Sequence, residues 1–456
     1  MQILCRTITK KNDFVFVSDA NGVAEMYSLT NARGNIRFAI KELLSRTIYG
    51  EGKYCALYFT DLNNEEYTLL SNTDPIGKIT VNINETTKIR YFDPKDSLKD
   101  IENSLNDGYK VILNPGLYFW ERCLKLPDNC ELIGYGAVIA RLPDADFFNR
   151  MLTGGNNARV IGLTFKNLEY VIHSWPEIVY GLRMIDCKIV NGNLGNGYMD
   201  CLFQDCVFDK SYCTMAPQGL YLRCLWSNNQ EGNAFNLFGP CVAELAMIDS
   251  EFDGTDRGPV FNTNNGSVTD NIFINTVCRN INRDNNGNEI FMCEGTNEYS
   301  RNTHIHTRVF NCDSNVFLIW GSPAKDNLII DTVIDGGGGF MIAGVNGVEQ
   351  SRNIFDNFEL RGCGITLGWK DGTGKIHGEN ITYNVFKNGA IVGFKQTRIN
   401  QNNYDEKYYE RKVAALALDP SFGMKNTLEN MTICVGEGVI THQNIAGEVN
   451  DTRTIR

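Results

Sequence analysis

The sequence lacks three features that would each point to a class of protein. No window reaches the length of a transmembrane helix, and the first residues, MQILCRTITKKND, lack the charged-then-apolar pattern of a secretory signal. Excess positive charge is also missing, since the formal net charge is −11. We therefore expect a soluble chain that is not exported by the secretory route, does not insert into membranes and does not bind nucleic acid.

The cysteines lack the spacing of a disulfide framework or of a CxxC zinc site. There are 15 of them, which is an odd number. Several occupy strand positions that should face inward, where cysteine packs as a small hydrophobic residue. We expect buried free thiols in a chain made in a reducing cytosol, and neither a metal nor another cofactor.

What the sequence does contain is a repeat. The segments are MIDCKI (184–189), FQDCVF (203–208), LRCLW (222–226) and MIDSEF (247–252). Hydrophobic residues alternate with polar ones within each segment, which predicts a strand, and the recurrence predicts a repeat architecture. A repeated single strand cannot bury its inner face alone and must stack on its neighbours. The predicted fold is therefore mainly β, a single-stranded parallel β-helix.

The regions on either side of the repeat differ from it. Residues 1–92 predict a small α+β attachment module, with strands at Phe14–Ser18, 54–59 and 78–83 and a helix at 35–46. This module either docks onto a partner or is a folded appendage without one. Residues 93–400 are predicted to form the β-helix, and residues 401–456 are predicted to be a charged excursion, a last rung and a polar tail.

A short helix is predicted at residues 97–107, before the first strands of the repeat. Ser97 and Asp100 form a capping-box-like start, Leu98 and Ile101 lie on one side, and Gly108 can end the helix. The open end of a β-helix exposes unpaired strand edges and an apolar bore. A helix laid over that end would cover both, as a capping repeat does in a solenoid.

The strands after this helix carry a family resemblance. They read VILNPGLY (111–118) and LKLPDNCELIGYGAVI (124–139). Helix and strands together resemble the start of pectate-lyase-like right-handed β-helix proteins, which include phage tailspikes and related virion adhesins. The resemblance covers residues 95–400 and implies a right-handed coil. That superfamily contains lyases, hydrolases and non-enzymatic binders. The rungs lack polygalacturonase-type motifs. Asn72-Thr73-Asp74 resembles one of them, but it lies upstream in the module, where it cannot serve.

Stacked repeats place equivalent residues above one another, about one strand spacing (~4.8 Å) apart. The column that is predicted to face inward and pack the bore is Cys187, Cys206, Cys224, Ser250, Thr276, Thr332, Asn357 and Asn384. The column one residue earlier, which is predicted to face outward, is Asp186, Asp205, Arg223, Asp249, Asn275, Asp331 and Asp356.

Carboxylates near the outward column are the candidate site, because carbohydrate chemistry needs a general acid and base on a rigid wall. Asp249, Glu251 and Asp253 are the candidate catalytic residues. At i, i+2 and i+4 they are predicted to share one side of a strand, with successive Cα atoms ~6.6 Å apart, near the separation that inverting glycosidases use. The candidate binding residues are Asp186, Asp205 and Asp331. The alternative is a solvated charged face without a ligand.

Two weaker sets complete the candidates. His304 and His306 are predicted to point the same way from one strand, and Asp284 or Glu294 could complete a metal site. Two histidines with no third ligand at a known spacing are usually not a metal site, so none is expected. Aromatic side chains that face outward could stack on sugar rings. The candidates for this role are Trp226, Trp320, Trp369 and Tyr221, of which Trp226 is predicted to lie in the core.

The sequence leaves several functions open. The resemblance implies a phage virion protein (tailspike, fibre or capsid decoration), a homotrimer that docks onto other virion proteins through its N-terminal module. Its β-helix would present a binding face to a host-surface glycan or receptor. The alternative is a polysaccharide depolymerase, either a glycoside hydrolase or a lyase, that acts on a bacterial surface glycan. A purely structural spacer is the third possibility.

Overall fold

The computed structural model describes residues 1–83, 86–142, 150–211 and 217–228, followed by 235–236, 241–243, 245–255, 259–261, 267–281, 292–293, 298–312, 315–319, 323–342, 347–367, 369–370, 376–377, 380–394, 414–418, 426–435, 440–443, 450–451 and 454–455. The chain divides into two compact units, residues 1–226 with 244–250 and residues 227–243 with 251–456. Both contain coils of a right-handed parallel β-helix, as predicted. Within the described ranges, no helix is both long and apolar enough to cross a membrane.

The first unit begins with two small β-sheets that share a core. One sheet is antiparallel and contains, in order, Gln2–Leu4, Phe14–Ser18, Tyr54–Tyr58 and Ile40–Glu42. The other contains, in order, Thr7–Ile8, Asp74–Val81, Glu66–Ser71, Tyr27–Thr30 and Ile36–Phe38. Side chains such as Val15, Leu57, Leu29 and Ile79 meet between the two sheets. The three strands predicted for this module are confirmed.

The helix predicted at residues 35–46 is wrong. Ile36–Phe38 and Ile40–Glu42 are strands at the edges of the two sheets. Ile36 and Ile40 fit one face of a helix, but they are 49% and 56% exposed and lie outside the core. Isoleucine and phenylalanine favour extended backbone, and here they alternate at positions 36, 38 and 40. The described residues of the module therefore form strands and no helix.

The predicted capping helix is confirmed and spans Leu98–Asn106. The Ser97 hydroxyl accepts a hydrogen bond from the backbone N–H of Asp100 at 3.1 Å, so it satisfies one of the free donors at the helix start. Leu98 and Ile101, which are predicted to share one side of the helix, are buried, and so is Leu105 one turn later. Gly108 follows at φ +76°, a left-handed conformation that glycine adopts without strain.

Behind the helix, the strands of the first unit stack in parallel on three sides. The first side, which we call face A, contains Ile89–Phe92, Lys110–Leu113, Glu131–Ile133, Arg159–Ile161, Arg183–Ile185, Cys201–Gln204, Gly219–Leu222 and Ala246–Ile248. The second side contains Gly116–Trp120, Ala137–Arg141, Thr164–Ile172, Lys188–Asn193 and Val207–Asp209. The third side contains Leu124–Leu126, Arg150–Gly154 and the end of Thr164–Ile172, and a separate parallel pair joins Val179–Tyr180 to Tyr198–Met199. Leu225–Ser227 lies at the division between the units.

The inward cysteine column of the first unit is confirmed. Cys187, Cys206 and Cys224 are buried, and their thiols donate to the carbonyls of Val160, Met184 and Phe203 at 3.4, 3.4 and 3.3 Å. Ser250 continues the column, and its hydroxyl donates to the Ile248 carbonyl at 3.1 Å. Burial raises the pKa of the Cys187 and Cys206 thiols well above the usual value, so these residues serve packing rather than redox chemistry.

The second unit has four parallel stacks. The first contains Ile272–Ile274, Thr303–Ile305, Leu328–Asp335, Ile354–Arg361, Val385–Lys387, Thr427–Glu429 and Asn450–Asp451. The second contains Glu251–Asp253, Val277–Arg279, Arg308–Phe310, the ends of Leu328–Asp335 and Ile354–Arg361, Ala390–Phe394, Thr432–Val435 and Thr454–Ile455. The third contains Phe235–Asn236, Pro259–Phe261, Met292–Cys293, Asn315–Ile319, Gly339–Ile342, Ile365–Leu367, Ala414–Leu418 and Ile440–Gln443. The fourth contains Cys241–Ala243, Ser267–Thr269, Glu298–Ser300, Ala324–Lys325, Gln350–Ser351 and Ile381–Thr382, and a separate antiparallel pair joins Trp369–Lys370 to Ile376–His377.

A ladder of buried asparagines runs through the second unit, just before the strands of the first stack. Its members are Asn271, Asn302, Asn327, Asn353, Asn384 and Asn426. From Asn302 onward, each side-chain oxygen accepts from both the backbone N–H and the side-chain amide of the preceding member, as Asn353 does from Asn327 at 3.2 and 2.8 Å. The ladder therefore satisfies buried polar groups at one corner of six successive coils.

Three members of the predicted columns are placed wrongly. Asn384 is buried, but it belongs to the asparagine ladder and not to the column of Thr276 and Thr332. Asn357 is exposed at a corner, because Thr332 pairs with Phe358 instead. Asp356 pairs with Ile330 in the strand and so does not continue the column of Asp331. One longer loop between rungs shifts an alignment made from residue spacing, and a one-residue slip reverses the predicted face.

Candidate functional site

The predicted carboxylate column of the first unit lies at the corners that end the strands of face A. Asp186, Asp205 and Asp249 have φ values of 53°, 54° and 49°. Arg223, between them in the column, has φ 54°. Aspartate tolerates this left-handed conformation better than most residues, so these positions are explained first by the turn.

The upper part of this column is occupied by the N-terminal module. The Asp249 carboxylate accepts hydrogen bonds from the Ser45 hydroxyl and the Arg46 backbone N–H, both at 2.6 Å. Asp205 accepts two bonds from Arg223 at 2.7 and 2.9 Å and lies 3.7 Å from the Arg46 guanidinium. Asp186, farther down, accepts from the Tyr135 hydroxyl at 3.2 Å. Asp205 and Asp249 therefore hold residues 45–46 of the module.

The predicted strand of three carboxylates is wrong in its geometry. Asp249 follows the strand Ala246–Ile248, and only Glu251 and Asp253 lie on the next strand, Glu251–Asp253. Glu251 pairs with Arg279 at 2.7 Å, and Asp253 accepts from the Asn280 amide at 2.7 Å. The catalytic role of Asp249, Glu251 and Asp253 and the binding role of Asp186 and Asp205 stay predictions.

Face A of the first unit is covered by the antiparallel sheet of the module. That sheet is buried on both sides: Val15 and Leu57 enter the module core, while Phe16, Tyr54 and Ala56 on the other side are also at most 1% exposed. On face A, outward-pointing Leu220 and Leu222 are likewise at most 1% exposed. Because both apolar surfaces are removed from water, we infer that the module is a fixed part of the first unit.

Ion pairs at the margin of this interface reinforce it. Asp13 lies 3.0 Å from Arg159 and 3.8 Å from Arg183, and Arg183 also donates to the backbone carbonyl of Thr7. Lys10 pairs with Glu131 at 2.9 Å. Burial opposes ionisation of Asp13, but the two arginines outweigh it and lower the pKa of that carboxyl to about 2.

Asp200 is a second buried carboxyl at this interface, and its environment raises its pKa, whereas that of Asp13 is lowered. One oxygen accepts from the Arg6 backbone N–H at 2.8 Å, while the other has no hydrogen-bond partner. Burial raises its pKa to about 6, although the Arg6 N–H and the nearby Arg183 lower it. A raised carboxyl pKa means that the folded chain binds this proton more tightly than the unfolded chain, so stability falls as the pH rises from about 4 to about 6.

Replacing Asp200 by asparagine should therefore stabilise the chain at pH 8 by about 3 kcal/mol and leave it nearly unchanged at pH 4. The amide keeps an oxygen for the Arg6 N–H and removes the buried charge. Asp205→Asn is the matched control, because pairing with Arg223 outweighs burial and lowers the pKa of Asp205. It should destabilise the chain at both pH values. Urea denaturation at pH 4 and pH 8 measures the change in stability. A lower stability of the Asp200→Asn variant than of the parent at pH 8 would contradict the prediction.

An open groove lies in the second unit, between its first and second stacks. It has a volume of about 380 Å³. The residues that line it are Asp331, Thr332, Val333, Asn357, Phe358, Glu359, Asn388, Gly389, Ala390, Asn430 and Thr432. Asp331 is the one predicted binding residue in the groove. Asn388, Asn430 and Glu359 were not predicted.

The groove follows one corner of the coil through four rungs. Asp331, Asn357, Asn388 and Asn430 occupy the same corner, with φ values of 53°, 53°, 54° and 51°. Two residues later, Val333, Glu359, Ala390 and Thr432 are paired in register along the adjoining strands. The recurring sequence signal is an Asn or Asp two residues before the second strand of each rung, which the variable rung lengths concealed.

The corner side chains hold one another in place. Asn357 donates to Asp331 at 3.3 Å, Asn388 donates to Asp356 at 2.8 Å, and Asn430 donates to Asn388 at 2.9 Å. A side-chain amide carries two N–H donors and an acceptor oxygen. Asn357 and Asn388 therefore retain hydrogen-bonding capacity for a ligand while their orientation is fixed.

Two carboxylates give one end of the groove a negative charge that arginines partly balance. Glu359 binds Arg361 through two bonds at 2.8 and 3.1 Å, and hydrogen bonds from Arg361 lower the pKa of Glu359. Asp331 lies 3.6 Å from the Arg308 guanidinium and 4.0 Å from His306. Glu359 is therefore ionised at neutral pH and can accept hydrogen bonds, but it is poorly suited to donate a proton.

Among the residues that the structure describes, the remaining candidates do not form a site. His304 is buried against Phe273 with ring centroids 4.5 Å apart, whereas His306 lies at the corner that follows, so they do not point the same way. Burial lowers the pKa of His304 to about 3. Asp284, Glu294, Trp320 and the side chain of Trp369 lie outside the described residues. Trp226 and Tyr221 are fully buried, which confirms Trp226 as core and excludes both from sugar stacking.

We compared the chain with known protein families, curated proteins and solved structures. No protein-family profile and no curated protein matches the chain. A family 28 exopolygalacturonase of Yersinia enterocolitica is 9% identical and has a TM-score of 0.43, covering 100% of this chain and 98% of that one. PfbA, a surface adhesin of Streptococcus pneumoniae, is 9% identical with a TM-score of 0.38, covering 77% and 85%. Tailspike protein 3 of bacteriophage CBA120 is 13% identical with a TM-score of 0.34, covering 64% and 54%.

The chain shares the parallel β-helix fold of pectate-lyase-like proteins, as the resemblance implied. The strand pairing within each unit carries this conclusion. Function has to be argued from the groove.

Proposed function

We propose that the chain is a phage virion protein (tailspike, fibre or capsid decoration) and that the groove of its second unit binds a bacterial surface polysaccharide. The groove carries this proposal. It is an open surface lined by amides, carboxylates and a threonine hydroxyl, which suits the hydroxyl groups of a sugar. These side chains stand on stacked strands and are fixed by one another, so little conformational entropy is lost on binding.

Attachment to the virion rests on the resemblance of residues 95–400 to tailspike-type proteins. In this proposal, homotrimers dock onto other virion proteins through the outer side of the N-terminal module. One sheet of that module is already packed on face A, so its exposed edges remain for a partner. Ile36, Phe38 and Ile40 are 49%, 63% and 56% exposed there. Exposed apolar strand edges of this kind are common interaction surfaces.

A polysaccharide depolymerase is the alternative. It is supported by the two carboxylates in the groove, Asp331 and Glu359, because glycoside hydrolysis commonly uses a pair of carboxylates. Hydrolysis with a carboxylate pair needs one member to act as a proton donor with a raised pKa. Glu359 has a lowered pKa, which supports binding over cleavage. If the row of Asp249, Glu251 and Asp253 were the catalytic site instead, Asp249→Asn or Asp253→Asn would abolish cleavage without affecting binding at the groove.

We expect Asn388→Gly to weaken binding of the polysaccharide about tenfold, which corresponds to about 1.4 kcal/mol. Asn388 donates to Asp356 and accepts from Asn430, and glycine preserves its left-handed backbone. Asn280→Gly is the matched control, because Asn280 has φ 53°, donates to Asp253 and accepts from Asn311, yet lies outside the groove. The control should bind like the parent chain.

The measurement is an array of purified bacterial capsular and O-antigen polysaccharides, followed by calorimetry on the one that binds. Release of new reducing ends in the same mixture separates the depolymerase from the binder. Equal binding by Asn388→Gly and the parent would remove the groove from the proposal. Absence of binding to every polysaccharide and to bacterial cells would overturn the glycan function.

A further inference from the structure

The groove repeats the same set of positions in successive rungs, and this repetition defines a direction. Asp331, Asn357, Asn388 and Asn430 come one from each of four rungs. The strand residues Val333, Glu359, Ala390 and Thr432 repeat in register beside them. The groove therefore runs along the stack of rungs, and its polar groups recur at the rung spacing of ~4.8 Å.

A ligand that uses these groups equally must repeat at a similar spacing. The length of one sugar residue in an extended glycan is close to the rung spacing. Four rungs span ~14 Å between the first and the last, which accommodates a chain of about four sugars. A glycan laid across the rungs would instead meet the groups of one or two rungs only.

The charge of the groove restricts the ligand further. Its ionisable lining residues, Asp331 and Glu359, are both acidic, and both lie in the first two rungs. Arg308 and Arg361 already pair with them. The other half of the groove, at Asn388, Ala390 and Thr432, carries no charge. A uronic acid or phosphate at the acidic half would be repelled without a lining cation to receive it.

We propose that the groove binds an extended, uncharged glycan lengthwise, with about one sugar residue for each of four rungs. This inference rests on the proposed glycan-binding function. It adds the direction of the chain, the length that is recognised and the charge class. In this arrangement Asn357 and Asn388 contact neighbouring sugars, because they lie in neighbouring rungs.

Fragments of one to six sugars, fractionated from the polysaccharide that binds on the array, test the direction. Affinity measured by calorimetry should rise at least tenfold from two to four sugars and then level off. Asn388→Gly should lower the affinity for the four-sugar fragment about tenfold, while Asn280→Gly should leave it unchanged. Full affinity at one or two sugars would overturn lengthwise binding and leave the proposed function intact. Absence of binding by the whole polysaccharide would overturn both.

The same polysaccharide after oxidation of its primary hydroxyl groups to carboxylates tests the charge class. Added carboxylates should weaken binding by at least tenfold at 50 mM salt, and the loss should shrink as salt rises. Asp331→Asn should restore part of the affinity for the oxidised form. Equal or tighter binding of the oxidised polysaccharide by the parent chain would overturn selection for an uncharged glycan.

Discussion

Replacing Arg183 by methionine should destabilise the first unit by about 3–5 kcal/mol, the usual result of removing one partner of a buried ion pair. Arg183 is 1% exposed although it points out from face A. It donates to the Gly181 carbonyl at 3.0 Å and to the Thr7 carbonyl, and it lies 3.8 Å from Asp13. The substitution leaves two carbonyls unpaired and weakens the compensation of the Asp13 charge.

Arg122→Met is the matched control for this variant. Arg122 binds Glu102 through two hydrogen bonds, the shorter at 2.6 Å, but its side chain is 42% exposed. Exposed pairs contribute little, so the control should lose at most about 1 kcal/mol. Urea denaturation of the full chain measures both variants. Hydrogen exchange of the Phe14–Ser18 strand then reports whether the module has loosened. Equal stabilities of the two variants would show that Arg183 does not secure the module.

The covered face also explains which part of the sequence analysis failed. The sequence predicts Asp205 and Asp249 on an outward surface because each precedes an inward-facing residue, Cys206 or Ser250, and the structure places them outward. What covers them is the N-terminal module, whose residues Ser45 and Arg46 lie about 200 residues before Asp249 in the chain. Alternation and repeat spacing describe a strand and its neighbours, but they carry no information on a distant segment that packs on the outer face.

The coil itself could be predicted because its cause is local. Inward positions such as Cys187, Cys206 and Cys224 recur at intervals of 19 and 18 residues, and the bore demands small or apolar side chains there. Prediction failed where the interval lengthened: Asn357 and Asn384 were both assigned to the bore. One lies at an exposed corner, and the other belongs to the buried ladder. The groove was missed for the same reason, since its corner positions become visible only in correct register.

The asparagine ladder yields the other large effect. Asn327→Gly should destabilise the second unit by about 4 kcal/mol or more. The Asn327 side chain accepts from the backbone and the side chain of Asn302, both at 3.0 Å, and donates to Tyr299 and Asn353 at 2.9 and 2.8 Å. All of these groups are buried, so water cannot replace the lost partner without opening the coil.

The exposed corner of the same unit supplies the control. Asn311 donates to Asn280 at 2.8 Å, but it is exposed and has φ 52°, a conformation in which glycine is not strained. Asn311→Gly should therefore cost less than about 1 kcal/mol in urea denaturation. If Asn327→Gly lowers the free energy of unfolding no more than Asn311→Gly does, the ladder is a consequence of the coil and does not stabilise it. A large loss confined to Asn327→Gly would make the ladder the support on which the rigid groove depends, because Asn327, Asn353, Asn384 and Asn426 lie in the four rungs that form it.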